Sequence, residues 1–480
     1  MQRKFLSNLG ILLFLNILIK PFYLLVVEAG VQNEVGSSEY GRYASLLSLS
    51  VLLNIFLDLG VNNFTSKSLA ANTAHPRNLL SGIFGLRALM SILYFALVFA
   101  CALVLGFRGE ALVLLGMLGL NQLLSGLVLY LRSVLTGLMQ FKQDALISIL
   151  DRSLIIFLLA PILFHVVDFF PISIFSFVIA QTIGYLATLC VALFFVLSKT
   201  GKLRISWEPD FNRKILKESF PYALLVLLMM FYYKTDTIML ERMLPDGAYH
   251  AGVYARGYRL FEAGNMIGYL FAVLLLPILS KLFASGSNVS VIVNHAFRLL
   301  FFIAAVSMVS SWLWAETILN MVYTQDIEKA TPIFQVLMTS FLFLMMGHLW
   351  STVLTAYGDL KVLNWAALGA VVLNILLNLI LIPKYEALGS AVASLITQFA
   401  VVLVQWLRAA SLTKAHLPGA AMIRSLLFLT SMIISGYVLT INMHQSLLSL
   451  GIFLVLALLL SWIFGVFNLN RVKAILAEKD

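Results

Sequence analysis

Only two cysteines occur among 480 residues, Cys101 and Cys190, and both sit in apolar runs. They read as small core residues rather than a disulfide framework. Charge is also scarce: Asp, Glu, Lys and Arg together make up 11% of the chain, against about a quarter in a soluble domain. No Gly-x-x-x-x-Gly-Lys-Ser/Thr loop is present, so the chain carries no P-loop ATPase of its own. No His-Glu-x-x-His and no Cys-x-x-Cys occurs, which removes the common zinc signatures. An Asp-x-Asp pair and a long external loop are missing too. A membrane glycosyltransferase or polysaccharide polymerase would need such a loop for its active site. These absences argue against an enzyme, and no cofactor is expected.

What the chain has is apolar surface. Hydrophobic residues form 61% of it and the mean hydropathy is +0.97. One aqueous fold cannot bury that much, so lipid must cover the remainder. In hydrocarbon every backbone N–H and C=O needs an internal partner, which leaves helices or a closed barrel. A barrel shows alternating segments of about ten residues. Here the apolar runs reach helical length, as in 447–467. The basic start, Met1-Gln2-Arg3-Lys4, resembles a signal peptide. Its apolar run continues past Pro21 to about Val31, too long for an h-region, so it reads as a first helix.

The expected architecture is an all-α polytopic membrane protein of about fourteen transmembrane helices. Six spans fall at 6–31, 41–62, 79–105, 111–136, 145–165 and 172–197. Six more fall at 219–242, 254–280, 297–323, 332–356, 361–383 and 387–408, and two at 424–442 and 447–467. The division expected is a six-helix lobe at 1–198, a basic cytoplasmic linker at 199–217 and a second six-helix lobe at 218–410. Two additional helices and a cytoplasmic tail occupy 411–480.

Charge asymmetry sets the orientation. With the N-terminus inside, Arg3, Lys4, Lys142, Lys361, the basic linker and the C-terminal Arg471, Lys473 and Lys479 all fall on the cytoplasmic side. The opposite side holds Arg42, Arg108, Arg242, Lys329 and Lys384. That places both termini in the cytoplasm and accounts for a net charge of +10 without nucleic acid. A faint repeat supports two lobes. Gly41-Arg42-Tyr43-Ala44 opens the second span and Gly252-Val253-Tyr254-Ala255 the eighth. Leu135-Thr136 with Lys142 returns as Leu354-Thr355 with Lys361, at the same spacing.

Ionisable groups inside a membrane cost about 2.5–3.5 kcal/mol on insertion scales, and they usually face a bundle interior or a watery cavity. Lys20 lies mid-span beside Pro21; it lines a cavity or pairs with Glu28 or Asp58. Ser50, Asn54, Asp58 and Asn62 recur every four residues, which puts them on one helix face. For Asp58 the favoured reading is a structural ion pair. Arg87, Arg132 and Arg152 occupy the inner halves of three spans. The latter two have a plainer reading, snorkelling to the interface. Asp151 adjoins Arg152, but helix neighbours point apart. Together with Lys20 these arginines make one lobe interior positive and suit a phosphate group. In the seventh span Lys234 and Asp236 do not share a face, whereas Tyr232 and Asp236 do. Arg256 and Arg259 open the eighth span, with Glu262 placed to pair with Arg259. Glu316 and His348 are isolated and read as packed, hydrogen-bonded residues.

Gly41-Arg42-Tyr43-Ala44, then Asp58-Leu59-Gly60 and Ala70, resembles the start of Wzx-type polysaccharide flippases. Lys217-Glu218-Ser219-Phe220-Pro221, leading to Asp236, Gly252-Val253-Tyr254 and Arg259, is similar in the same way. The likeness spans most of the first twelve helices. One departure is visible: the family often has an arginine shortly after the Asp-x-Gly motif, and here the nearest cation is Lys67. The resemblance implies the multidrug/oligosaccharidyl-lipid/polysaccharide exporter fold, with two six-helix lobes around a central cavity. It implies a flippase for an undecaprenyl-diphosphate-linked oligosaccharide in the bacterial cytoplasmic membrane. The substrate-binding set expected is Lys20, Arg87, Arg132, Arg152, Lys234, Arg256 and Arg259, with Asp58 and Asp236 as coupling or structural acids. Expected partners are the lipid-linked anionic oligosaccharide, membrane lipids, and a polysaccharide polymerase with its chain-length proteins. A cation-coupled drug or metabolite exporter of the same fold is the first alternative; it would rely on acidic and apolar cavity residues. A membrane enzyme or a scaffold of glycan assembly is the second, separated by sugar-turnover assays on purified protein.

Overall fold

The computed structural model describes residues 16, 18–70, 76–167, 171–201, 209–413 and 419–466. Among them all regular structure is helical. A π-turn, Tyr23–Glu28, runs into α1 (Ala29–Leu52). There follow α2 (Val61–Ala70), α3 (Pro76–Val104), α4 (Glu110–Gly137), α5 (Phe141–Leu163) and α6 (Ile174–Thr200). Next come α7 (Pro209–Met243), α8 (Gly247–Ala284), α9 (Ser290–Leu313), the short α10 (Ala315–Asn320) and α11 (Ile327–Tyr357). The last three are α12 (Leu360–Thr413), α13 (Gly419–Met443) and α14 (Leu447–Ile463). Ten helices among the described residues are long and apolar enough to cross a membrane. Their outward surfaces are apolar, with Val104, Phe157 and Phe194 among the exposed side chains. Lipid is the solvent such a surface requires.

The spans expected from hydropathy correspond to these helices, with five differences, one of them the break of the ninth span at Trp314 between α9 and α10. The first and second spans are joined without a loop: Gly36, at φ 79°, kinks one helical stretch. The eleventh and twelfth are likewise one rod, α12, kinked at Glu386 (φ 51°) just after Pro383. The second span does not run to residue 62. It stops at Leu52, passes through a 3-10 turn at Asn54–Leu57, and restarts as α2. The polar stripe of Ser50, Asn54, Asp58 and Asn62 is therefore not one helix face. Finally, the second half of the 199–217 linker is already helix, since α7 starts at Pro209; 202–208 and the tail beyond 466 lie outside the described residues. The cysteines are free thiols, Cys101 half-buried and Cys190 exposed, so Cys190 is no core residue.

The helices form two compact units, 1–255 and 256–480. The boundary falls inside α8 rather than in the linker, because α7 packs along α1 in the first unit. In that unit α4 packs on α6 and α2, around a core that includes Leu86, Met90, Tyr130, Val134 and Leu135. In the second unit α11 packs on α12 and α9. The helices α13 and α14 close over α9 through Trp314, Phe428, Met432 and Phe453. Trp314 Nε1 donates to Ser449 Oγ at 2.8 Å, which satisfies the indole inside that apolar contact. The repeated Leu-Thr motifs hold equivalent places. Leu135 ends α4 and its carbonyl accepts from Gln140 N at 2.8 Å; Leu354 ends α11 and accepts from Asp359 N at 2.9 Å.

Candidate substrate-binding site

Lys20 stands three residues before the π-turn. Pro21 has no N–H to give to the preceding turn, and the widened turn follows directly. The ammonium is half-buried and makes no ion pair or hydrogen bond with any described residue. Glu28 and Asp58, its expected partners, are engaged elsewhere: Glu28 accepts from Tyr40 Oη at 3.3 Å and Asp58 pairs with Arg87. Instead Lys20 lies within electrostatic range of Arg132 on α4 and of Arg152, Asp144 and Asp151 on α5.

Both arginines carry partners, so neither simply snorkels. Arg132 Nε meets Asp144 Oδ1 at 2.6 Å across the tight turn between α4 and α5. Asp144 also sits in the first turn of α5, where a negative charge suits the helix dipole. Arg152 Nη1 donates to Tyr185 Oη at 2.7 Å, and its guanidinium stands over the Tyr23 ring at 4.6 Å. Asp151 and Arg152 do meet, at the long distance of 3.9 Å. Of these three cations only Lys20 stands in no ion pair with a described residue; Glu28 also lies within electrostatic range of Arg152.

Arg87 is drawn into a different task. It is 4% exposed, and its Nη2 reaches Asp58 Oδ1 at 3.2 Å and Asn62 Oδ1. Its Nη1 donates to the carbonyls of Leu57 at 3.3 Å and Gly126 at 3.4 Å, and the guanidinium covers the Tyr130 ring at 4.3 Å. Asp58 in turn accepts from Gly60 N at 3.3 Å and Asn62 N at 3.0 Å, which caps the start of α2. Leu59 and Gly60 take positive φ, 42° and 84°, to make the break. The Asp-Leu-Gly motif is thus a helix interruption held shut by one buried arginine. Asn54 bonds Gln122 Oε1 at 2.8 Å in the same region.

Asp236 on α7 is 2% exposed and accepts from Tyr254 Oη at 3.0 Å. Tyr254 belongs to the second copy of the repeated glycine-tyrosine motif. Tyr43, in the first copy, receives Gln181 Nε2 at 3.3 Å. Lys234 is half-buried on α7. In the second unit Arg256 is fully buried, pairs with Asp326 at 3.4 Å and lies over Tyr323 at 5.2 Å. Arg259 pairs with Glu262, as its spacing predicts. His348 Nε2 bonds Asn265 Oδ1 at 2.7 Å, and Glu316 is exposed. Of the nominated cations, then, the first unit gathers Lys20, Arg132 and Arg152, and sets Arg87 apart. Sequence reasoning missed Tyr23 and Tyr185, because aromatic residues in spans are too common to single out. Among the described residues no group of His, Cys, Asp or Glu is placed to hold a metal ion.

The bundle matches solved transporters along almost its whole length. The lipid II flippase MurJ in an inward closed conformation superposes with a TM-score of 0.74 at 18% identity, over 95% of this chain and 97% of that one. A transporter of the multidrug/oligosaccharidyl-lipid/polysaccharide exporter superfamily from Pyrococcus furiosus superposes at 0.58 and 13% identity, over 85% and 95%. The fold is the one shared by these solved membrane transporters. Within it, the chain belongs to the polysaccharide biosynthesis protein family, whose model matches residues 5–283. A MatE model also matches residues 221–380. The capsular polysaccharide biosynthesis protein CapF of Staphylococcus aureus is 22% identical, over 79% of this chain and 92% of that protein. An uncharacterized membrane protein of Methanocaldococcus jannaschii is 24% identical, over 77% and 89%.

Proposed function

We propose that the chain flips an undecaprenyl-diphosphate-linked oligosaccharide from the inner to the outer leaflet of a bacterial cytoplasmic membrane, by alternating access between two six-helix lobes at 1–198 and 218–410. The observation that carries this reading is Lys20, a half-buried cation in no ion pair with any described residue, beside two arginines whose guanidinium groups keep free donors. A diphosphate supplies a negative charge to Lys20 and accepts charge-assisted hydrogen bonds. Membership of a polysaccharide biosynthesis family supports a glycan cargo. Both termini are cytoplasmic in this reading, and the polymerase and chain-length proteins receive the product.

Arg87 serves here as a brace rather than a ligand. Arg256 and Arg259, each holding a carboxylate, take the anion only by exchanging that partner. The MatE match over 221–380 favours one other reading, a cation-coupled exporter of a drug or metabolite. A deletion strain separates the two. A flippase mutant accumulates a lipid-linked sugar intermediate on the cytoplasmic face, cleared by the wild-type chain and not by Lys20→Met at equal membrane level. No accumulated lipid-linked sugar rules the flippase reading out.

A further inference from the structure

Three helices of the second unit, α9, α13 and α14, contain no Asp or Glu. Their only Lys or Arg residues are Arg298 on α9 and Arg424 on α13. Both side chains reach the end of α14, where Gly465 takes φ 63°. Gly465 N donates to the Trp462 carbonyl at 3.1 Å and Val466 N to the Ser461 carbonyl at 2.9 Å, which closes the helix. Val466 packs into the apolar cluster around Trp314 and Phe428. The Gly465 carbonyl accepts from Arg298 Nη1 at 3.2 Å. A β-carbon on Gly465 would lie 3.9 Å from Arg424 Nη1, so the second guanidinium stands beside the same residue. Arg298 is half-buried. Arg424 is exposed and makes no hydrogen bond or ion pair with any described residue.

Capping α14 accounts for only part of this charge. A helix C-terminus carries about half a negative charge. Two guanidinium groups bring two positive charges, and no carboxylate on the three helices offsets the rest. Their depth is set by the turn at the other end of the α13–α14 pair. Arg424 stands 20 residues before His444, and Gly465 stands 21 after it. At a rise of 1.5 Å per residue, each limb spans about 30 Å, the thickness of the hydrocarbon core. The arginines therefore lie at the level of the lipid headgroups. From there toward the membrane centre the surface is apolar and open. Leu427, one turn on from Arg424 and on its face, is exposed, as are Leu459 and Ile463 on α14. Trp462, also exposed, is of a residue type favoured at the membrane–water interface.

We infer that Arg298 and Arg424 bind the phosphate of an anionic glycerophospholipid, whose acyl chains lie along the exposed faces of α13 and α14. A phosphodiester supplies one full negative charge and accepts charge-assisted hydrogen bonds from both guanidinium groups. Basic pockets between membrane helices on the cytoplasmic side hold such headgroups, and the loop charges assign this end to that side. A soluble phosphate would meet the charge and leave Leu427, Leu459 and Ile463 uncovered; a lipid answers both. One phosphate shared by two arginines ties α13 to α9, so the bound lipid fastens the last helix pair to its unit.

The test is native mass spectrometry of the full chain with added phosphatidylglycerol or phosphatidylcholine, alongside melting in nanodiscs. Wild type retains phosphatidylglycerol in preference to phosphatidylcholine. Arg424→Met orphans no partner among the described residues, so it folds as wild type. It binds phosphatidylglycerol about fivefold more weakly, the factor for about 1 kcal/mol per arginine at an anionic surface. Arg424→Lys falls between the two. Lys361→Met, which removes another exposed cation at a helix end, binds as wild type. In nanodiscs, adding phosphatidylglycerol to phosphatidylcholine raises the wild-type melting temperature by several degrees, and the rise shrinks in Arg424→Met and in Arg298→Met. For Arg298→Met the rise is compared rather than the starting value, because that variant also loses the bond to Gly465. Equal affinity in wild type and Arg424→Met overturns the inference, and so does an equal loss in Lys361→Met. Displacement of the lipid by glycerophosphoglycerol, the headgroup without chains, at comparable concentration also overturns it, since the site would then serve a soluble anion.

Discussion

Gly41 and Gly252 hold α1 and the start of α8 so close that neither position has room for a β-carbon. One on Gly41 would strike the Ala248 carbonyl oxygen, and one on Gly252 the Ser37 carbonyl oxygen. Both obstacles are backbone and cannot swing aside. Gln32 Nε2 adds a bond to the Gly252 carbonyl at 2.8 Å. Gly41→Ala or Gly252→Ala must part the helices, at a typical overpacking cost of about 1–3 kcal/mol. The expected result is a melting temperature in detergent several degrees below wild type. Gly369→Ala and Gly451→Ala, where no atom lies within 4 Å of the added carbon, serve as unchanged controls. An unaltered melting temperature for both tight sites would refute the close approach.

Removing Arg87 leaves Asp58 without its cation at the helix break. Losing one partner of a buried pair costs about 3–5 kcal/mol, and the lower end applies here because the Asp58 side chain keeps 29% of its exposure. Arg87→Met is expected to lower membrane abundance steeply. The double change Arg87→Met with Asp58→Asn should recover much of it, since no lone charge remains. Quantitative blotting of membrane fractions decides. Normal abundance of Arg87→Met with lost export would instead make Arg87 a substrate ligand.

Lys20 should behave in the opposite way. It has no partner to orphan among the described residues, so Lys20→Met should reach the membrane at wild-type level while export falls at least tenfold. Lys20→Arg should retain more export than Lys20→Met, because charge rather than shape attracts the anion. Pulse-chase labelling of surface glycan gives the rate. Full export by Lys20→Met would exclude Lys20 as the attracting charge.

Asp236 and Tyr254 form a buried acid–hydroxyl pair. If the acid acts in transport, Asp236→Ala impairs export more than abundance, and Tyr254→Phe, which removes the donor alone, has a milder effect. A parallel fall of abundance and export in Asp236→Ala would assign the pair to packing.

Topology follows from the loop charges. Reporter fusions at Lys202 and Lys473 are expected to read cytoplasmic and one at Asp326 external. An external signal at Lys202 would reverse the second lobe.

Much of this fold was legible because lipid imposes a length on every span. Hydropathy placed the twelfth span at 387–408, and the helix resumes immediately after the kink at Glu386. The break at Asp58 was not legible. A four-residue spacing from Ser50 to Asn62 imitates a helix face, and only the positive φ at Leu59 and Gly60 distinguishes an interruption from a continuous rod. The Arg259–Glu262 pair could be read from spacing, since both lie on one helix. Arg87 with Asp58 could not, because nothing local says which acid 29 residues away a buried guanidinium will meet. The π-turn had no sequence signal beyond Pro21.

A π-turn amounts to one surplus residue held inside an otherwise α-helical rod, so this stretch of the family is a place where chain length can drift by a single codon. A relative lacking one residue in Tyr23–Glu28 would close the turn to an α-helix, with every flanking contact still in register. Such a one-residue gap is easily lost in a gapless comparison of membrane spans. Natural variants with and without the surplus residue would therefore be expected to look alike in hydropathy and to keep the flanking helix faces aligned.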